Sequence, residues 1–285
     1  MIINIIGAGK LGKTLGYLWA QSSSYQIGGV LSTNIHKTQA AVQWMGQGLA
    51  CQHMHELPHA DMTLIATPDD NISAVVKELY HLDTLPPQHI VFHCSGSLNH
   101  HILKHPTRDD IYTGAVHPPK SFMDPEKNPP IPQPTPCAIE CDAEANFPLT
   151  QLFATIGYQA HHITSEKKAL YHAGCVFASN YLVAIAHQAE SCFVQSGLEP
   201  SMAKAFTQTL LQSSLHNILL APELKSALTG PIQRGDTATL IRHLDILSDT
   251  QQKEIYQQLG QSLIELTLHD PKVKDALFNI LKKTS

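Results

Sequence analysis

Residues 1 to about 95 alternate short apolar runs with amphipathic stretches. The run IINII (2–6) leads through a glycine-rich turn into a helical pattern reaching about Trp19. IGGVLS (27–32) leads into HKTQAAVQWMG, DMTLIATP (61–68) leads into DDNISAVVKELYHL, and HIVFHCS (89–95) follows the turn DTLPPQ. Strands alternating with helical segments in this way predict parallel βαβ units with right-handed crossovers. The strands are nearly continuous apolar runs, as expected where helices cover both faces of a sheet. After GAVHPPKSF (114–122), the segment DPEKNPPIPQPTP (124–136) holds six prolines and no apolar period, which predicts an extended connection. CAIEC, EANFPLTQLFATIG and YQAHHI then resume strand, helix, strand. These close a first domain over 1–163. From Thr164 to Ser285 the period is helical: one long helix over SEKKALYHAGCVFASNYLVAIAHQAESCFVQSG, then PSMAKAFTQTLLQSSLHNILL, DTATLIRHLDILS and TQQKEIYQQLGQSLIELTLH. Gly197 and Pro200 supply a stop and a restart.

Composition narrows the function. A hydrophobic fraction of 43% in 285 residues suits one large or two ordinary folded domains. The formal charge of −5 carries no basic footprint, so nucleic acid is not expected as a partner. Six scattered cysteines in a chain of this length point to reduced thiols and a cytoplasmic protein. The N-terminal run MIINII is too short for a signal-peptide core or a membrane span. His53, His55 and His59, with His100 and His101, invite a metal reading, but no carboxylate or cysteine completes a ligand set in sequence, and no metal is expected.

The first strand runs into Gly7-Ala8-Gly9-Lys10-Leu11-Gly12, a G-x-G-x-x-G directly after a strand and at the mouth of a helix. In that context Gly7 makes the tight turn and Gly9 lets the backbone approach a pyrophosphate. Gly12 lets helix and strand pack closely, with the helix N-terminus facing the anion. Where NAD-binding chains carry an acidic residue at the end of the second strand, this chain reads Ser32-Thr33-Asn34, followed by His36 and Lys37. That set would not repel a 2′-phosphate, so NADP is favoured over NAD. Ala66, Thr67 and Pro68 end another strand at the ligand-bearing sheet edge. Asp69 or Asp70 is expected to cap the helix that follows.

Candidates for chemistry cluster at strand ends. Ser95 and Gly96 in HCSGS offer a hydroxyl and an amide, and His117, held before Pro118-Pro119, could hydrogen-bond or protonate a substrate oxygen. On the helix that opens the second domain, Lys168, His172, Cys175 and Ser179 fall within about 60° of arc, with Asn180 on the flank. This polar stripe on an apolar helix, where one domain ends and the next begins, suits a small-molecule site. Arg234, in LTGPIQRGDTATLIRHL, could bind a substrate carboxylate or phosphate as a fork, or take part in an ion pair within its own domain.

The glycine fingerprint together with ATPDDNI, HCSGSL, HPPKSF, KALYHAGCVFASNYL and LTGPIQRGDTATLIRHL resembles, over essentially the whole chain, the Rossmann-like oxidoreductases that carry a C-terminal domain of unknown function 2520. More distantly the chain is similar to ketopantoate reductase, pyrroline-5-carboxylate reductase, 3-hydroxyisobutyrate dehydrogenase and prephenate dehydrogenase. The resemblance implies an α/β fold: a Rossmann-type, mostly parallel sheet followed by an all-α domain of the 6-phosphogluconate dehydrogenase type over 164–285. It implies that Lys168 stands where some relatives carry a proton-donating lysine. His172 replaces the asparagine found four residues on, which leaves the acid open between the two. It further implies a substrate contact for His117, and a homodimer formed through the helical domain. The resulting expectation is NADPH-dependent reduction of a small carbonyl compound, such as a 2-oxo acid like ketopantoate. In it Lys168, His172, His117 and Ser95 act on the reacting group, and Asn180, Ser179 and Arg234 hold its polar end. A non-catalytic NADP-binding sensor or scaffold is the alternative.

Overall fold

The computed structural model describes residues 1–82, 84–120, 122 and 132–282; the expected proline-rich connection lies outside the described residues from 124 to 131. Eight strands form one sheet: β1 (Ile2–Ile6), β2 (Gln26–Leu31), β3 (Leu49–Cys51), β4 (Met62–Ile65), β5 (Ile90–His93), β6 (Tyr112–His117), β7 (Thr135–Cys141) and β8 (Tyr158–His162). Their order is β3-β2-β1-β4-β5-β6-β7-β8. All neighbours pair in parallel except β6 and β7, which run antiparallel. The chain steps to one side of β1 for β2 and β3, and to the other for β4 onward. This reversal opens a crevice beyond the carboxyl ends of β1 and β4, where open α/β sheets take ligands.

Both sheet faces are buried, which is why the strands read as unbroken apolar runs. On one face Trp19 of α1 (Lys10–Ala20) meets Phe153 of α4 (Ala143–Ala154) edge-on at 5.6 Å, and its indole N–H donates to the Leu152 carbonyl. The α2 helix (Ile35–Met45) adds Ala41 and Met45 to this core. On the other face Ile72, Val76 and Leu79 of α3 (Asp69–His81) cover Ile6, Ile65 and Val91.

β3 is only three residues long, too short to leave an apolar period in the sequence. Two expectations are corrected. The long helix is two: α5 (Lys168–Ala178) and α6 (Asn180–Gln195) are separated by Ser179, whose φ of −131° and ψ of −70° leave the helical region. The chain divides into compact units Met1–Phe177 and Ala178–Ser285, so α5 goes with the sheet and the division falls after it, not at Thr164. The physical reason is an ion pair that fixes the start of α5 to β7, described below.

The second unit is helical: α6, α7 (Pro200–Leu220), α8 (Pro231–Arg234), α9 (Thr237–Ile246), α10 (Thr250–Ile264) and α11 (Pro271–Leu281). Its punctuation is local. Gly197 turns the chain at φ 96°, Pro200 opens α7, and the Asp236, Asp249 and Asp270 carboxylates accept the amides of Thr239, Gln252 and Val273 as N-caps. Ile232, Leu240, Leu244, Ile264, Leu277 and Leu281 form its core. Outside that core, Val183 on α6 and Leu219 on α7 stay more than 70% exposed. Ser165–Gln195 is, among the described residues, the one helical stretch long and apolar enough by length and composition to cross a membrane. Its first turns are instead tied to the sheet through Lys168 and Tyr171.

Candidate functional site

Two neighbouring constellations occupy the carboxyl edge of the sheet. The first is a groove of about 590 Å³ lined by Gly7, Ala8, Gly9, Ser32, Thr33, Lys37, Gln52, His53 and Ala66 to Pro68, among others. Gly7 turns at φ 119°, and a Cβ there would stand 2.5 Å from the Ala66 carbonyl oxygen; one on Gly12 would stand 2.0 Å from the Gly7 oxygen. Around Gly9 nothing lies within 4 Å of a Cβ. Gly9 is also the N-cap of α1 and brings no side-chain cap, so the first amides of that helix face the groove without a side-chain partner. The Thr67 hydroxyl is buried and has no hydrogen-bond partner among the described residues. An open glycine cradle, an uncapped helix N-terminus and an orphaned hydroxyl fit the phosphates of a dinucleotide.

The expected nucleotide residues divide. Gly7, Ala8, Gly9, Ser32, Thr33, Ala66, Thr67 and Pro68 line the groove, whereas Lys10 and Leu11 form the first turn of α1. Asn34 caps α2 through the Lys37 amide, and Ser32 hydrogen-bonds the Thr38 hydroxyl at 2.7 Å. Lys37 lines the groove and His36 is not among its lining residues. Gln52 and His53, just beyond β3, also line the groove; that strand is too short to be read in sequence, which leaves no pointer to them as groove residues. His53 is the N-cap of a 3-10 turn over Met54–Glu56 and His55 lies within it, with the two rings stacked at 5.5 Å.

The second constellation gathers the ends of β5 and β6 and one face of α5. The His117 and His172 rings meet edge-to-face at 5.9 Å, above Gly96. A Cβ on Gly96 would lie 2.4 Å from His172 Cδ2 and 2.9 Å from His117 Nε2, so both imidazoles sit where a side chain would otherwise be. His117 Nδ1 lies 2.9 Å from the Tyr171 hydroxyl. Burial first, then the neighbouring His172 and Lys168, push the His117 pKa down to about 4, so its imidazole is neutral near pH 7.

Two expected catalytic groups are committed elsewhere. The Ser95 hydroxyl donates to Asp69 Oδ2 at 2.6 Å and accepts the amides of Ser97 and Leu98. Ser97 donates to the same carboxylate oxygen at 2.9 Å. Asp69 is therefore not the cap of α3, a place taken by Pro68. It ties the loop after β5 to the start of that helix. Lys168 does not face open space: its ammonium donates to Glu140 Oε1 at 2.9 Å, with both side chains no more than 3% exposed. The Ser165 hydroxyl and the His100 amide complete the Glu140 carboxylate. Burial works to raise the Glu140 pKa, but these three donors outweigh it and hold the carboxyl below its ordinary range. Of the residues expected at the polar end of a substrate, Ser179 donates to Asn180 Oδ1 at 3.0 Å, and Arg234 is exposed at the end of α8, 3.9 Å from Asp236. All three belong to the second unit.

The strand order and the glycine cradle define a Rossmann-like domain, and residues 1–118 match that family. Residues 135–263 match the domain of unknown function 2520, so the chain joins a Rossmann-like domain to a 2520 domain whose match begins at β7. Among solved structures, a Thermotoga maritima protein is 25% identical with a TM-score of 0.70, covering 93% of this chain and 97% of its own. A Bacteroides fragilis protein, provisionally described as an NADP oxidoreductase, is 20% identical with a TM-score of 0.73, covering 93% and 98%. The Plasmodium falciparum pyrroline carboxylate reductase, solved with NADP bound, is 14% identical with a TM-score of 0.60, covering 99% and 98%. These likenesses show the fold. No curated protein matches the chain.

Proposed function

We propose that the protein is an NADP(H)-dependent oxidoreductase that reduces a small carbonyl or imine compound, a 2-oxo acid such as ketopantoate among them. The observation that carries this reading is the shared edge. The glycine cradle after β1 and Ala66–Pro68 after β4 share the carboxyl edge of the sheet with the end of β6, where His117 meets His172 of α5. The preference for NADP rests on Thr33 and Lys37 lining the groove where an acidic side chain would select NAD. The solved relatives described with NADP fit this choice.

A bound reduced nicotinamide supplies the hydride. His117, neutral, donates a hydrogen bond to the oxygen or nitrogen that gains charge as hydride reaches its carbon. His172, beside it and half-buried, gives that atom its proton and is reprotonated from solvent, so hydride and proton together convert C=O to CH–OH or C=N to CH–NH. Lys168 is a fixed charge behind the site that helps keep His117 neutral. Exposed apolar side chains on α6 and α7 support a homodimer through the second unit, and six cysteines outside any disulfide suit a reducing, cytoplasmic setting.

The test is a screen of NADPH oxidation against 2-oxo acids, imines and aldehydes, with His172→Ala and Gly96→Val as controls. Turnover by the unaltered chain should fall by about 10²-fold or more in His172→Ala, with NADPH affinity unchanged. Gly96→Val, which drives a side chain into both imidazoles, should lose turnover as well. NADPH binding without turnover of any class on the panel would refute the reductase reading in favour of a nucleotide-binding sensor.

A further inference from the structure

The histidine pair has a third member. Tyr171 lies one residue before His172 on α5, and its ring meets His117 edge-to-face at 5.6 Å with the hydroxyl 2.9 Å from Nδ1. That hydroxyl also meets the Cys175 thiol, one turn along α5 and a weak acceptor, and the His117 carbonyl at 3.5 Å, too long to compete, so the imidazole nitrogen is the strongest acceptor for its single proton. Burial, and the Cys175 thiol one turn along α5, push the Tyr171 pKa above the ordinary range, so the phenol keeps its proton. A neutral imidazole that accepts at Nδ1 carries its own proton on Nε2. The Nε2 atom is the one that lies against Gly96 beside the His172 ring. None of the hydrogen bonds found among the described residues involves it.

We propose that Tyr171 is a positioning residue: it donates to His117 Nδ1, fixing the imidazole as the Nε2–H tautomer and presenting that N–H to the substrate atom that receives the proton. The assignment rests on the reductase reading for its consequence, though not for its geometry. It makes His117 a hydrogen-bond donor and never the general base. It also gives the substrate an acceptor at its reacting atom: a carbonyl oxygen or an unprotonated imine nitrogen, rather than an iminium ion, which has no lone pair to offer. Nδ1–H donation to the phenol oxygen would leave Nε2 a bare acceptor, and the same pocket would then favour a substrate that donates.

Neighbouring groups do not override the choice. Lys168 disfavours the imidazolium, Asp69 favours it, and His172 faces the ring; the net effect leaves His117 neutral. The neutral ring must place its one proton, and the phenol is the partner that places it.

The test reads the tautomer directly. Two-bond ¹H–¹⁵N correlation spectra of the histidine-labelled full chain at about pH 7.5, with His117 assigned by its loss in His117→Gln, distinguish a protonated Nε2 from a protonated Nδ1. The unaltered chain should show Nε2–H. Tyr171→Phe, which keeps the ring and removes only the hydroxyl, should give a mixture of tautomers, a kcat lower by about tenfold and an unchanged KM. A His117 protonated at Nδ1 in the unaltered chain, or a tautomer untouched by Tyr171→Phe, would overturn the assignment. If Tyr171→Phe does not fold, the spectrum of the unaltered chain decides alone. The spectra need no turnover, so an inactive chain with an Nε2–H His117 would refute the reductase reading and leave the tautomer assignment standing.

Discussion

Glu140→Ala should destabilise the first unit by about 3–5 kcal/mol, the cost of leaving a buried partner charge uncompensated. Lys168 is 1% exposed, and its ammonium would lose the one ion-pair partner it has among the described residues, with Asp69 left as a more distant charge. The His100 amide and the Ser165 hydroxyl would lose their acceptor in the same step. Desolvation of the lone ammonium decides the size, because each orphaned neutral donor costs only about 1–3 kcal/mol. The double variant Glu140→Gln, Lys168→Met removes both charges and should recover most of the loss. Urea unfolding of the single and double variants checks this. A single variant within about 1 kcal/mol of the parent would show that the pair is open to water and that Lys168 remains free to act on a substrate.

The second large effect is acid lability. His89 and His93 are buried, and burial above all pushes each pKa down to about 4. Each has both ring nitrogens engaged. His89 reaches the Ala60 carbonyl and the Thr63 hydroxyl, while His93 accepts the Ser95 amide at Nδ1 and lies 3.3 Å from the Asn99 carbonyl at Nε2. Above the unfolded histidine pKa of about 6.5 both states are neutral, and these groups contribute nothing to the pH dependence. As pH falls through that value the unfolded chain binds protons that the native chain refuses. Stability therefore drops until the native pKa near 4 is reached. The loss is on the order of 3 kcal/mol per histidine over that window. Unfolding free energies at pH 7, 6 and 5 read the effect together with same-signed contributions from His117 and His100, also pushed down by burial, while carboxylates, whose pKa values lie lower, bind few protons in either state there. His89→Gln should make the slope shallower by about one proton. A stability that stays flat from pH 7 to 5 would contradict the burial of both rings.

Much of this architecture is legible in the sequence, and the failures have physical causes. Apolar runs buried on both faces announce β1, β2, β4 and β5. Proline and aspartate punctuation announces α7 and α9. The glycine turn after β1 is a local motif, and its tight packing against Ala66 forms where the spacing puts it. The catalytic end depends on contacts between distant residues, which spacing does not encode. Lys168 reads as a proton donor until Glu140, on a strand 28 residues earlier, is seen to hold it. A lone carboxylate within the buried run CAIEC was the available signal, since such a group requires a partner. Tyr171 carries no signal in the sequence, because an aromatic on an apolar helix is usually packing. Ser95 reads as free because its partner Asp69 looks like a helix cap. Of the polar stripe, α5 keeps Lys168, His172 and Cys175 and loses Ser179 to the break before α6; Lys168 is bound to Glu140, and His172 meets His117.

The central claim is that the groove at the ends of β1 and β4 holds a phosphorylated nicotinamide dinucleotide. Fluorescence titration of the full chain with NADPH and NADH at equal ionic strength tests it most directly. Saturable binding of both, with NADPH tighter by about tenfold or more, is the predicted result, since a charge-assisted contact to the 2′-phosphate is worth about 1.5–3 kcal/mol. Tighter binding of NADH, or binding of neither, would contradict the account.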